Sequence, residues 1–262
     1  MKERQVEIST RKGSSESFLY CPEGDGRWPG ILYLTDIGGI RAANREAAGR
    51  RANEGYAVLM PNVFYRTGRT PLEPPLRSLS GEAAKQRLAE LSQPLTPEAM
   101  EEDAAAYVGF LASQGCVRPG TMGVVGYCFT GKMALHTAAA LPDKIAAVAS
   151  FHGGGLFTDA PTSPHLTLSR IKARLYFGHA TNDRSMPEEA IAKLYRTLEA
   201  WGGKYESEVY KHAYHSWTSS DSPVYNAPQA ERAFHKLTEL FGETWASATV
   251  GLRWLSEGCG WC

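Results

Sequence analysis

Short unbroken apolar runs recur along the chain, separated by longer stretches in which apolar residues return every three or four positions. Pro29-Gly30-Ile31-Leu32-Tyr33-Leu34-Thr35 and Tyr56-Ala57-Val58-Leu59-Met60-Pro61 are runs of the first kind, the pattern of strands buried on both faces. The same reading predicts strands at 121–127, 145–151, 173–179 and 205–210. Helices are predicted at 41–54, 98–114, 131–141, 187–201 and 227–241. Ahead of them, 5–10 and 15–20 are predicted to pair as a β-hairpin around Lys12-Gly13-Ser14. Strands alternating with helices predict an α/β fold, a mostly parallel sheet with helices on both faces. In such a sheet ligands sit beyond the carboxyl ends of the strands.

Two stretches break the rhythm. Residues 62–97 carry Pro71, Pro74, Pro75, Pro94 and Pro97 among many polar positions, and are expected to form a long irregular insertion, lid-like or simply solvated. Residues 243–262 fit no element and are expected to be a disordered tail behind a single domain over 1–242. Cys259-Gly260-Trp261-Cys262 has C-x-x-C spacing, but one such pair at a chain end is weak evidence for a metal site.

Composition narrows the function. The 262 residues are 43% hydrophobic, enough for a sizeable core, and Lys+Arg and Asp+Glu both total 28. A chain of zero net charge carries no basic field for a nucleic-acid backbone. Neither an apolar leader nor a membrane span is apparent, so a cytoplasmic location is expected. The five cysteines, Cys21, Cys116, Cys128, Cys259 and Cys262, are odd in number and widely spaced. They are therefore read as reduced, leaving Cys128 available as a thiolate.

The chemistry concentrates in Gly123-Val124-Val125-Gly126-Tyr127-Cys128-Phe129-Thr130-Gly131. A strand that stops at small residues, one reactive side chain, and an immediate helix have the form of the nucleophile elbow of α/β-hydrolases, with sulfur in place of the usual serine oxygen. By itself the string also fits a small buried cysteine. A thiol nucleophile needs a base and a group that orients the base. Asp183 follows the strand Leu175-Tyr176-Phe177-Gly178-His179-Ala180, and His215 follows Val209-Tyr210, in the order nucleophile, acid, histidine. Asp183 could instead cap a helix, and His212 competes with His215. The amides of Phe129 and Ile37 are the expected oxyanion donors. His152-Gly153-Gly154-Gly155 has the form of a lipase oxyanion motif but follows the elbow rather than preceding it, so it is assigned to the pocket wall. Phe64, Tyr65, Tyr127, His152 and Trp217 are the expected substrate-binding residues, and their rings suit a small hydrophobic or aromatic acyl group.

The string Gly126-Tyr127-Cys128-Phe129-Thr130-Gly131, the positions of Asp183 and His215, and Asp36-Ile37-Gly38-Gly39 together resemble the dienelactone hydrolase family over about residues 5–241. The resemblance implies a single-domain, cofactor-free, cytoplasmic α/β-hydrolase that opens a lactone or small ester through a thioester. It also implies that Asp36, where the type enzyme has Glu, holds the resting thiol. Thr130 replaces a glycine usual in the family, and Ser219 stands where an arginine of the carboxylate clamp is expected. Arg69 or Arg77 could supply another clamp. A small-molecule ester or lactone is the expected partner, with no nucleic acid, membrane or metal, and the oligomeric state is left open. Rival readings are a non-hydrolytic thiol protein, such as a redox sensor or acyl carrier, and a catalytically silent binding module.

Overall fold

The computed structural model describes the backbone of residues 1–256 and side chains through residue 245. The strands are β1 (Lys2–Thr10), β2 (Gly13–Cys21), β3 (Gly30–Leu34), β4 (Ala57–Pro61), β5 (Met122–Tyr127), β6 (Ile145–Phe151), β7 (Arg174–Ala180) and β8 (Tyr205–Tyr210). The helices are α1 (Ala42–Asn53), α2 (Gly81–Ser92), α3 (Pro97–Ala112), α4 (Thr130–Ala140), α5 (Glu188–Trp201) and α6 (Ala227–Ser256). The strands form one sheet in the order β1-β2-β4-β3-β5-β6-β7-β8. β1 pairs antiparallel with β2 and β2 with β4, and every other pairing is parallel.

Successive residues of a strand face opposite sides, and the core divides accordingly. Leu32, Leu34 and Val124 point to the face covered by α3, α4 and α5, where Tyr107, Met133 and Leu194 are buried. Ile31, Tyr33 and Val125 point to the other face, against Ala48 and Ala52 of α1 and Leu237 and Phe241 of α6. α3 starts where Thr96 accepts the Ala99 amide (3.2 Å) and Pro97 opens the first turn, a cap and a preset φ that favour a helix there.

Three expectations are corrected. The insertion is not irregular throughout, since it holds a short 3-10 turn (Leu76–Ser78) and α2. Leu72, Leu91 and Leu95 anchor it in the core, and Arg87 donates to the Glu73 carbonyl (2.9 Å). α6 does not stop near residue 241, because Phe241 and Trp245, one turn apart, both pack against Tyr56. The helix continues to Ser256 through residues expected to form a tail, while Cys259 and Cys262 lie outside the described residues. Cys21 and Cys116 are not reduced. They form a disulfide with Cα atoms 6.3 Å apart, brought together because the Trp28–Val117 bridge lays the segment before β5 along the one after β2.

Candidate functional site

Strands β3, β5, β6, β7 and β8 end level with one another, with Leu34 beside Gly126, Tyr127 beside Phe151, and Ala180 beside Tyr210. The loops that follow therefore meet at one edge. Cys128 stands at the apex of the β5–α4 turn with φ +56°, a conformation that costs a non-glycine residue free energy unless its surroundings hold it. Its amide donates to the Phe151 carbonyl (3.1 Å), and its own carbonyl accepts from Gly131 and Gly154, both at 3.2 Å. Glycine is required on both sides of the apex. A Cβ at Gly126 would run into the Thr130 carbonyl, and one at Gly131 into Ser150.

His215 Nε2 lies 3.0 Å from Cys128 Sγ, and its Nδ1 lies 2.6 Å from Asp183 Oδ2. Burial alone would lower the His215 pKa, but the hydrogen bonds and charges of Asp183 and Cys128 lift it to about 10. Burial also works to raise Asp183, yet its bonds with His215 and Ser185 hold it below the ordinary carboxylate value. Ser185, which the sequence did not single out, gives Asp183 Oδ1 both its hydroxyl (2.7 Å) and its amide (2.8 Å). His152 (φ +41°), Asn182 (φ +51°) and Ser216 (φ +78°) are also in the left-handed region. Strained backbone thus lies at or next to each of the three side chains in this chain of contacts.

The other expected residues divide. Phe64 is buried with its ring 6.5 Å from that of Phe129. His152 is buried behind His215, ring centroids 5.2 Å apart, and its Nε2 meets Thr218 Oγ1 at 2.8 Å. Desolvation pushes its pKa down to about 3, so the ring is neutral at ordinary pH. Trp217 is fully buried, supporting His152 from below (4.9 Å), and Tyr127 packs between Tyr33 and Phe151. Tyr65 is elsewhere, its hydroxyl engaged by Thr10 (2.8 Å) and Asp103 (2.9 Å) at the β1–β2 hairpin.

Asp36 does not hold the thiol. Its two oxygens take Arg41 Nη1 and Nη2, each at 2.8 Å, and the Gly38 amide (2.8 Å). Burial works to raise Asp36, but the Arg41 pairing keeps its pKa low. Arg41 Nε also donates to Asp221 Oδ2 (2.8 Å), and Nη2 reaches Ser219 (3.2 Å). Arg77 donates to the Asp221 carbonyl (2.8 Å) and pairs with its carboxylate (2.7 Å). Arg41 therefore lies against Ser219, where sequence reasoning looked for an arginine, and fixes the loop after β3 to the loop after His215. Arg69 is not near this group, because it pairs with Glu16. Lys132, in the first turn of α4, places Nζ 3.9 Å from the Phe129 ring centroid. Burial lowers its pKa, and the nearby Cys128 works to raise it. No carboxylate pairs with it among the described residues.

The Dienelactone hydrolase family profile matches residues 16–245. The chain belongs to that family. It is 30% identical over 201 residues to the carboxymethylenebutenolidase of Rhodococcus opacus, covering 76% of this chain and 74% of that one. A solved structure from Klebsiella pneumoniae superposes with TM-score 0.81 at 18% identity, covering 92% of this chain and 98% of that one. The dienelactone hydrolase from Anabaena variabilis does so with TM-score 0.65 at 19% identity, covering 93% and 98%. The sheet and its flanking helices are the α/β-hydrolase fold, and the protein is a dienelactone hydrolase-like hydrolase. Thr130, the departure from the family's usual glycine, is fully buried and accepts the Tyr127 amide (2.9 Å). Its hydroxyl also lies within donating distance of the Leu34 carbonyl (2.9 Å), so it ties the elbow to the end of β3. Among the described residues no helix is long and apolar enough to cross a membrane.

Proposed function

We propose that this dienelactone hydrolase-family protein hydrolyses a small ester or lactone through a thioester on Cys128. The observation that carries this reading is the contact series Cys128 Sγ–His215 Nε2 (3.0 Å) and His215 Nδ1–Asp183 Oδ2 (2.6 Å), drawn from three separate loops. Cys128 Sγ, its proton given to His215 Nε2, attacks the carbonyl carbon, and the carbonyl electron pair moves to oxygen beside the Ile37 and Phe129 amides. As the intermediate collapses, the C–O bond breaks and the alkoxide takes the proton from His215 Nε2. In a lactone that alkoxide remains tethered to the acyl group. The now neutral His215 takes a proton from water, which attacks the thioester. Collapse returns sulfur as thiolate and releases the acid. Asp183 holds the ring in the required orientation throughout.

The charges around the site bear on the substrate. Arg41 and Arg77 are matched by Asp36 and Asp221, which leaves Lys132 beside Phe129 as a cation that no carboxylate pairs with among the described residues. An acyl group with one carboxylate would find its counter-charge at Lys132 rather than at an arginine clamp.

The test is turnover of p-nitrophenyl acetate by the wild type and by Cys128→Ala. Sustained turnover that falls at least about a thousandfold in the variant, with an acetylated Cys128 trapped by rapid acid quench and mass spectrometry, is the expected result. Equal turnover by Cys128→Ala would overturn the mechanism. Acetylation of Cys128 that stops after a single equivalent would point instead to an acyl carrier.

A further inference from the structure

Beneath the elbow, on the α1–α6 side of the sheet, lies a cavity of about 150 Å³ that neither Cys128 nor His215 lines. Its floor is the rings of Tyr33, Tyr127 and Phe151, and its wall includes Arg51 and Phe234. Arg51 is only 3% exposed, and its guanidinium donates to Thr238 Oγ1 (2.6 Å) and the Phe234 carbonyl (2.7 Å), both neutral. No carboxylate pairs with it among the described residues. The Phe234 ring, its centroid 3.5 Å from Arg51 Cζ, offsets part of the cost of burying this charge. A ring face is not a counter-ion, however, and an adjoining anion would stabilise the guanidinium further.

The other charges at the cavity do not supply that anion. Glu231 is held by Arg50 at the mouth (2.6 Å), and Glu46 is on the exposed face of α1. Desolvation pushes Arg51 down to about 10, so it remains charged at neutral pH.

We propose that this cavity binds a small aromatic monocarboxylate, with the ring on the aromatic floor and the carboxylate on Arg51. A space of this size accepts about one benzene ring, and the guanidinium fork matches a carboxylate in geometry and charge. Carboxylic acids are also the products of ester hydrolysis, so a product of the reaction proposed above could occupy this site as well. Binding itself does not depend on that reaction.

Calorimetric titration of benzoate into the full chain tests this, using wild type, Cys128→Ala, Arg51→Gln and Ala47→Leu. Ala47 lines the cavity, and leucine there fills it while leaving Arg51 in place. The expected result is saturable one-to-one binding that survives Cys128→Ala, weakens at least roughly tenfold in Arg51→Gln and is lost in Ala47→Leu, with benzamide at least roughly tenfold weaker than benzoate. No saturation up to about 10 mM benzoate, equal binding by folded Ala47→Leu, or equal affinity for benzamide would each overturn the proposal. Loss of binding in Cys128→Ala would also overturn it, by placing the ligand at the thiol. Because Cys128→Ala is read by binding alone, the result is independent of whether the thioester mechanism holds.

Discussion

Thr130 Oγ1 lies 2.9 Å from the Leu34 carbonyl oxygen and accepts the Tyr127 amide at 2.9 Å. One buried hydroxyl thereby joins the nucleophile turn to the strand that leads into Asp36 and Ile37. Thr130→Val keeps the shape and removes the hydroxyl, leaving buried backbone groups unpaired at a cost of about 1–3 kcal/mol. Urea denaturation should report that loss, together with reduced kcat from a loosened elbow. Unchanged stability would show that the hydroxyl does not carry this link.

The pairing of His215 with Asp183 predicts the alkaline behaviour. The folded pKa is raised to about 10, above the ordinary histidine value of about 6.5. The associated stability is therefore fully present below the unfolded value and is lost as pH rises through about 10. Stability measured against pH should decline over that window in the wild type and not in His215→Gln. The same imidazolium is the proposed proton donor, so kcat/KM should fall over the same window. Asp183→Asn should move that fall toward neutrality; a wild-type fall already complete by about pH 7 would contradict the assignment.

Arg41 and Asp36 predict an acid effect. Arg41→Met leaves a buried carboxylate without its partner, which costs about 3–5 kcal/mol. Asp36 is held low in the wild type, so its contribution is present above the ordinary aspartate value and lost as pH falls through the lowered one. Arg41→Met should therefore lose this resistance to acid. Adding Asp36→Asn should recover part of the stability, and a double mutant no more stable than Arg41→Met alone would refute the coupling.

Lys132 predicts a difference between substrates. Lys132→Met should raise KM roughly tenfold for an ester whose acyl group carries a carboxylate, with little change for p-nitrophenyl acetate. Equal effects on both substrates would mean that the lysine acts on the thiol or the fold rather than on substrate charge.

The sheet, the elbow and the order Cys128, Asp183, His215 were legible in the sequence because strand runs and turn residues are local signals. α2 was legible in principle, since Glu82 to Leu91 is rich in good helix formers, but prolines on both sides masked it. The continuation of α6 depends on Phe241 and Trp245 finding Tyr56, a contact between distant segments. Tyr65 was misplaced for a similar reason: its nearness to Phe64 in sequence says nothing of Asp103, which takes its hydroxyl.

The amino-acid order alone placed each strand of the sheet to within a few residues, because periodicity and turn chemistry act over a few neighbours. Tertiary structure decided the partners. It gave Asp36 to Arg41 instead of to the thiol, set Arg41 against Ser219, and bonded Cys21 to Cys116 across a sequence separation of 95. Electrostatic and covalent partners are selected by distance in space, and that distance exists only once the strand ends have been brought to one edge.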